Sequence, residues 1–199
     1  MKKYLVAVAL AVSVLAAAGS PGAVLAQAPT KELGIAVGLK APSIAATTQT
    51  GAPATFAELR GQNGMVLAFV RSADWCPFCK QQLNELNKVA PELKAKGYPL
   101  AALSYDSVET LARFASINSL QYTLLSDPRS SVIDAFGVRN LDVAGNKRMD
   151  GIPHPAIFII SADGVVLSKL YEADYKKRPS GEAVLKAIQG IGPSAAQHQ

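Results

Sequence analysis

Cys76-Pro77-Phe78-Cys79, flanked by Trp75 and Lys80, holds the only two cysteines in a chain of 199 residues. Two thiols three residues apart can close a small ring reversibly, which is the layout of a dithiol/disulfide exchange centre. The pair follows the apolar run of residues 65–70 and precedes a stretch of helical periodicity. It is therefore expected at a strand-to-helix turn.

That position has chemical consequences. If Cys76 caps the helix, its sulfur faces unpaired main-chain N–H groups and the positive end of the helix dipole, and both favour thiolate over thiol. Pro77 suits the first helical position, where a missing N–H costs nothing. Cys79 lies one turn on and is expected deeper, which predicts an exposed nucleophile at Cys76 and a resolving thiol at Cys79. Three other uses of C-x-x-C compete. A c-type haem site needs His at position 80, which is Lys. A structural zinc site needs four ligands, and only His154 and His198 could join the pair. A structural disulfide closing so short a loop adds little stability. Redox exchange is favoured, with no metal and no cofactor.

The elements that must position the pair follow from periodicity. Residues 43–48 and 54–56 read as short strands around Gly51, and residues 65–70 as a strand buried on both faces. Residues 76–96 carry Leu83, Leu86, Val89, Ala90 and Leu93 at helical spacing, with Pro91 expected to kink or split the helix. Residues 98–105 form the next strand. Asp106 followed by Glu109 reads as an N-cap and its partner, opening a helix with Val108, Leu111, Phe114, Ala115 and Ile117 on its apolar face. Asp127-Pro128 starts a short helix that ends near Gly137. Residues 156–160 and 165–170 flank Asp163-Gly164, a hairpin signal, and Val184, Leu185 and Ile188 mark a last helix closed by Gly190. This order is α/β, a central mixed β-sheet with helices on both faces.

The N-terminus reads as a targeting segment: Lys2 and Lys3, an apolar stretch over residues 4–18, then Val24-Leu25-Ala26, with cleavage expected after Ala26. The apolar run is shorter than the ~20 residues that span a bilayer, so no stable membrane anchor is expected after cleavage. The expected organisation is a signal peptide over 1–26, a mobile segment over 27–34, a single domain over 35–191 and a flexible tail over 192–199. Residues 27–199 carry 18 basic and 15 acidic side chains, a balance too mild to argue for nucleic acid. The densest basic run, Lys176-Lys177-Arg178, reads as a solvated loop. A periplasmic or secreted location is implied. There disulfides persist, so a chain whose two cysteines share one local motif uses them for chemistry.

Trp-Cys-x-x-Cys after an apolar strand resembles the thioredoxin superfamily. The flanking sequence resembles its alkyl hydroperoxide reductase/thiol-specific antioxidant (redoxin) branch. The matching stretches are residues 37–42, the Gly51 turn, Leu59-Arg60-Gly61, residues 69–76, 103–107, 125–128, 135–138 and 155–160 running to Asp163-Gly164. The resemblance covers nearly all of residues 35–190 and implies a thioredoxin-like fold.

The branch includes two chemistries. Peroxiredoxins carry Pro-x-x-x-Thr/Ser-x-x-Cys. Counted back from Cys76 those places hold Phe69 and Ala73, and from Cys79 they hold Ser72 and Cys76. The arginine that peroxiredoxins keep before the last active-site strand matches Pro155. Pro155 instead resembles the cis-proline of thioredoxin-type oxidoreductases, which implies that residues 152–154 pair with an extended substrate beside Cys76. Trp75, His154 and Pro155 are the expected substrate-binding residues. His154 and Arg71 are candidates for tuning the thiolate, although an Arg71 that faces solvent or pairs with an acid is the simpler account. The buried acid that thioredoxins keep six residues before the first cysteine is Val70 here, which leaves open what deprotonates Cys79. Asp74 is expected to face water, and Trp75 to pack over the motif.

The favoured reading is an exported thiol–disulfide oxidoreductase. Cys76 attacks a substrate disulfide and Cys79 resolves the mixed disulfide. Its partners would be protein or small-molecule disulfides and thiols, with a thiol protein as electron donor or acceptor. The alternative is a thiol peroxidase oxidised at Cys76 by hydroperoxide and resolved by Cys79. A third reading, a redoxin scaffold that binds partners without turnover, fits poorly with two retained cysteines.

Overall fold

A computed structural model describes residues 32–191; the expected signal peptide, the start of the lead-in and the tail lie outside them. Seven strands form one sheet: β1 (Ala45–Thr48), β2 (Pro53–Thr55), β3 (Gly64–Phe69), β4 (Leu100–Ser104), β5 (Thr123–Ser126), β6 (Ala156–Ser161) and β7 (Val166–Tyr171). Their spatial order is β2-β1-β5-β4-β3-β6-β7. The central strands β3, β4 and β5 are parallel, and β6 runs antiparallel to β3. The mixed sheet read from the sequence is present.

Every residue of β3 is buried, and its side chains alternate between two cores. Met65, Leu67 and Phe69 join Phe136 and Phe158 on one face. There the rings of Phe69, Phe136 and Phe158 meet pairwise at 5.0–5.7 Å between centroids. Val66 and Ala68 face the other core, formed by α2 (Pro77–Ala95), α3 (Val108–Ile117) and α5 (Gly181–Gly190). Short helices α1 (Phe56–Leu59) and α4 (Ser131–Ala135) cover the first face. A continuous apolar strand is the expected signature of burial on both sides.

Helix α2 buries Cys79, Leu83, Leu86, Ala90 and Leu93 along one stripe. Each fully buried leucine contributes about 2 kcal/mol. The helix runs through Pro91 without the split that was one of the two expected outcomes. Pro91 sits on the exposed face, where the carbonyl it leaves without an N–H partner can take water instead. Helix α5 crosses close to α2: a Cβ on Gly181 would lie 2.7 Å from the Val89 side chain.

Several local expectations shift. Phe56 belongs to α1 rather than to β2, because Thr55 and Glu58 form a capping box, with the Thr55 N–H donating to Glu58 at 2.8 Å. β5 is a strand that periodicity did not reveal. The N-cap of α3 is Ser107, which accepts from the Thr110 N–H, and not Asp106, whose carboxylate turns inward. Asp127 does serve α4, accepting from the N–H groups of Ser131, Val132 and Ile133. Within residues 32–34, Leu33 joins the first-face core, and Glu32 pairs with the buried Lys169 ammonium at 3.1 Å.

Sheet direction decides where the chemistry sits. The carboxyl ends of β3 and β4 lie at one edge. β6 begins there, with Ala156 opposite Phe69, and β7 ends there, with Tyr171 opposite Ala156. The loops at 70–76, 105–107, 152–155 and 172–180 therefore converge, at the edge where open α/β sheets place their sites.

Candidate active site

Cys76 is the N-cap of α2, with Pro77 at the first helical position. Its sulfur accepts from the Cys79 main-chain N–H at 3.3 Å. The two cysteines are joined as a disulfide, with Cα atoms 5.2 Å apart. The helix-capping geometry expected for a stabilised thiolate is thus in place. The expected exposure is not. Cys76 is 1% accessible and Cys79 0%, and both belong to the core that α2, α3 and α5 share with the sheet.

The loop leading to Cys76 is tied down by Asp106, a carboxylate only 8% exposed. Asp106 accepts from the Ser72 hydroxyl at 2.8 Å, the Ala73 N–H at 2.7 Å and the Ser104 hydroxyl at 2.8 Å. The Ser72 oxygen accepts in turn from the N–H groups of Asp74 and Trp75, at 2.9 and 3.3 Å. Burial pushes the Asp106 carboxyl above its ordinary range, and its hydrogen bonds to Ala73, Ser104 and Ser72 act the other way. In the sequence Asp106 reads only as a helix cap, because Ser72 and Ala73, the partners that make it a site element, lie 34 and 33 positions away.

Trp75 is partly buried against the core that holds the cysteines. Its indole N–H donates to the Tyr105 hydroxyl at 2.8 Å, which donates to the Arg148 carbonyl at 2.6 Å. Arg71 neither faces solvent nor pairs with an acid. Its guanidinium stacks between the rings of Trp75 (5.1 Å) and Tyr175 (4.7 Å), and its buried Nε has no hydrogen-bond partner. Asp74 faces water as expected, 55% exposed and 3.8 Å from Arg113. Val70 is buried, so no acid stands at that place.

The β7–α5 loop brings a group that the sequence reading placed in solvent. Lys176 and Lys177 are exposed, but Arg178 turns inward where the chain passes through the buried Pro179. Arg178 Nη2 lies 3.8 Å from Cys79 Sγ, and its buried Nε has no partner. Burial, then repulsion from Arg71, pushes its pKa down to about 10, so it stays cationic at neutral pH. Tyr175, on the same loop, sets its ring edge-on against Phe78, 6.2 Å between centroids.

His154 and Pro155 lie at the same edge, with two corrections. Among the described residues no peptide bond is cis, so Pro155 is an ordinary trans proline leading into β6. Residues 152–154 are also already paired: the Asn140 N–H donates to the Ile152 carbonyl at 2.9 Å, and the His154 N–H to the Val138 carbonyl at 2.7 Å. The 138–140 segment thus occupies the backbone groups that a substrate strand was expected to use. His154 is half-buried, and among the described residues the hydrogen bonds to the two sulfurs come from the Cys79 N–H and Arg178, not from its ring. Burial lowers its pKa, Asp142 opposes and Arg71 adds to the lowering, so the neutral ring prevails at pH 7.

The AhpC/TSA family model matches residues 37–169. The chain belongs to the AhpC/TSA family. Peroxiredoxin Bcp of Escherichia coli K12 is 33% identical over 126 residues, 63% of this chain and 79% of that protein. The thiol-disulfide oxidoreductase ResA of Bacillus thuringiensis is 26% identical over 142 residues, 71% of this chain and 73% of that protein. Among solved structures, peroxidoxin BcpB from Mycobacterium tuberculosis superposes with a TM-score of 0.67 at 23% identity, covering 84% of this chain and all of that one. The thioredoxin-like fold and the redoxin assignment both stand, and the relatives on either side are redox enzymes.

Proposed function

We propose that this redoxin is an exported thiol–disulfide oxidoreductase working through Cys76 and Cys79. The observation that carries the reading is the pair itself, closed as a disulfide across the first turn of α2, with Cys76 Sγ at the N-cap. When the pair is reduced, Cys76 is the sulfur aimed at the main-chain N–H groups, and so the better thiolate. It attacks one sulfur of a substrate disulfide, a mixed disulfide forms, and the other substrate sulfur leaves as thiolate. Cys79 then attacks Cys76 Sγ, which restores the protein disulfide and releases the second substrate thiolate. Cys76 is buried in the oxidised form, so partner attack requires a local shift, and the β7–α5 loop, which reaches Cys79 through Arg178 and Phe78 through Tyr175, is the segment that would move. Export rests on the Lys2-Lys3, apolar and Val24-Leu25-Ala26 pattern at residues 1–26.

The peroxidase reading has one observation in its favour: a relative named a peroxiredoxin is more identical to this chain than the oxidoreductase relative. Against it, Ala73 offers no hydroxyl, the Ser72 hydroxyl is engaged by Asp106, and Pro155 fills the arginine place. The test is a Cys79→Ala variant offered protein disulfides and, separately, hydroperoxide. Mixed disulfides that disappear on further change of Cys76 support exchange. An absence of such adducts, with Cys76 sulfenate forming readily from hydroperoxide, overturns it.

A further inference from the structure

The thioredoxin-type base is missing here, since the buried residue at that place is Val70. A different group touches the second sulfur. We propose that Arg178, reaching in from the β7–α5 loop, is the residue that keeps Cys79 ionised, making it a competent resolving nucleophile and leaving group. This deepens the exchange reading of the same site and rests on it for its catalytic meaning.

Geometry and charge carry the inference. Arg178 Nη2 is 3.8 Å from Cys79 Sγ, within the range of a nitrogen-to-sulfur hydrogen bond. The Arg178 Nε is buried without an acceptor, and no carboxylate makes a salt bridge with this guanidinium among the described residues. A second cation, Arg71, adds to the local positive charge and is likewise unpaired at Nε. Arg178 beside the neutral disulfide, with Arg71 adding to the field around it, leaves a positive site with no acid in a salt bridge to it among the described residues. A thiolate at Cys79 is the anion that would fill it. The charged and titratable groups around this point are Cys76 on α2, Arg71 on the preceding loop, Asp174 and Tyr175 beside Arg178, and His154, neutral and facing Arg71. Glu182 and Lys186 of α5 are exposed. Asp174 is the only acid of that set, and it acts on Arg178 less strongly than Arg71 does.

The two sulfurs are thereby served by different donors: Cys76 by the helix N-terminus, Cys79 by a side chain 99 residues away. When a substrate thiolate attacks Cys76 Sγ, a substrate–Cys76 bond forms. The Cys76–Cys79 bond breaks, and its electron pair goes to Cys79 Sγ as a thiolate facing Arg178. A second substrate thiolate then attacks the substrate sulfur and expels the Cys76 thiolate. The substrate dithiol has lost two electrons and, as its thiols ionised, two protons to solvent, and the cysteine pair has gained the two electrons as two thiolates. In the opposite direction the Cys79 thiolate attacks Cys76 Sγ of the mixed disulfide, and the substrate thiolate departs.

The test is a thiolate titration by absorbance at 240 nm in Cys76→Ser protein, where Cys79 is the only thiol, with Arg178 intact, Arg178→Gln or Arg178→Lys. The expected midpoint with Arg178 intact lies below the ordinary cysteine value of about 8.5, although burial alone would raise it. Arg178→Gln is expected to raise it by at least about one pH unit, a roughly tenfold loss of thiolate, with partial recovery in Arg178→Lys. An intact-Arg178 midpoint at or above about 8.5 overturns the inference, even if the glutamine variant does not fold. Equal midpoints with and without the arginine overturn it too. The titration needs no substrate, so a failed exchange assay would sink the proposed function without deciding this point.

Discussion

Two loops meet at the disulfide, and they are built differently. The loop before Cys76 is held by a buried carboxylate that gathers two hydroxyls and a main-chain N–H, all at 2.7–2.8 Å. The loop after β7 is held by ring contacts and stacked cations: Tyr175 on Phe78, Arg71 between Tyr175 and Trp75, Arg178 on Cys79. Directional bonds to a buried charge fix a geometry, whereas ring and cation contacts are individually weak and can re-form after displacement. On the proposed exchange reading, the first loop would serve as a fixed mount for Cys76 and the second as a cover that opens to admit a partner.

The most damaging change to this contrast is Asp106→Ala. It orphans Ser72, Ser104 and the Ala73 N–H, and the expected cost is about 3 kcal/mol in a denaturant titration. A loss below about 0.5 kcal/mol would mean that the mount does not depend on this carboxylate. Because burial raises the Asp106 pKa, the stability linked to its protonation is full below the unfolded-state value and is lost as pH rises through the folded value. Asp106→Asn should flatten that slope.

Next in size is Gly181→Ala, at the junction of the cover and α5. The added methyl meets Val89 at 2.7 Å, so α5 must shift, at about 1–2 kcal/mol in thermal or chemical unfolding. If the variant is unchanged in stability, the two helices are not in close contact there. Tyr175→Ala should cost at most about 1 kcal/mol while speeding reduction of the disulfide by small thiols several-fold. Slower or unchanged reduction would show that the loop does not control access to the sulfurs.

The smallest effect belongs to His154. Its folded pKa is depressed, so its contribution to stability is present above the unfolded value and fades as pH falls through that value toward the folded one. His154→Gln should remove a shallow downward slope in stability below about pH 6.5 and leave exchange rates at pH 7–8 unaltered. A marked change in those rates would return His154 to the thiolate.

What could be read from the chain was local. Residues 65–70 and 76–96 announced the buried strand and the helix beside it, and Pro77 with Cys76 marked the helix start. Asp163-Gly164 marked the hairpin, whose Gly164 adopts φ +85°. Thr55 and Glu58 were a legible capping signal that went unread. What could not be read depended on long-range placement. Asp106 looked like a helix cap because Ser72 and Ala73, which it holds in the loop after β3, are remote in sequence. Arg178 looked like one cation of a solvated run. Only the sheet order, which sets β7 beside β6 and β6 beside β3, carries that loop onto the cysteines. Pro155 had the sequence surroundings of a cis-proline, but its peptide bond is trans and the backbone ahead of it is already paired with residues 138–140.

Trp75, the chain's single tryptophan, stands next to Cys76 and reports on the pair directly. Stopped-flow fluorescence of the reduced protein, mixed with a disulfide or with hydroperoxide at equal concentration, sets the two chemistries against each other. A faster change is expected with the disulfide, abolished in Cys76→Ser. A faster change with hydroperoxide, dependent on Cys76, would overturn the exchange reading.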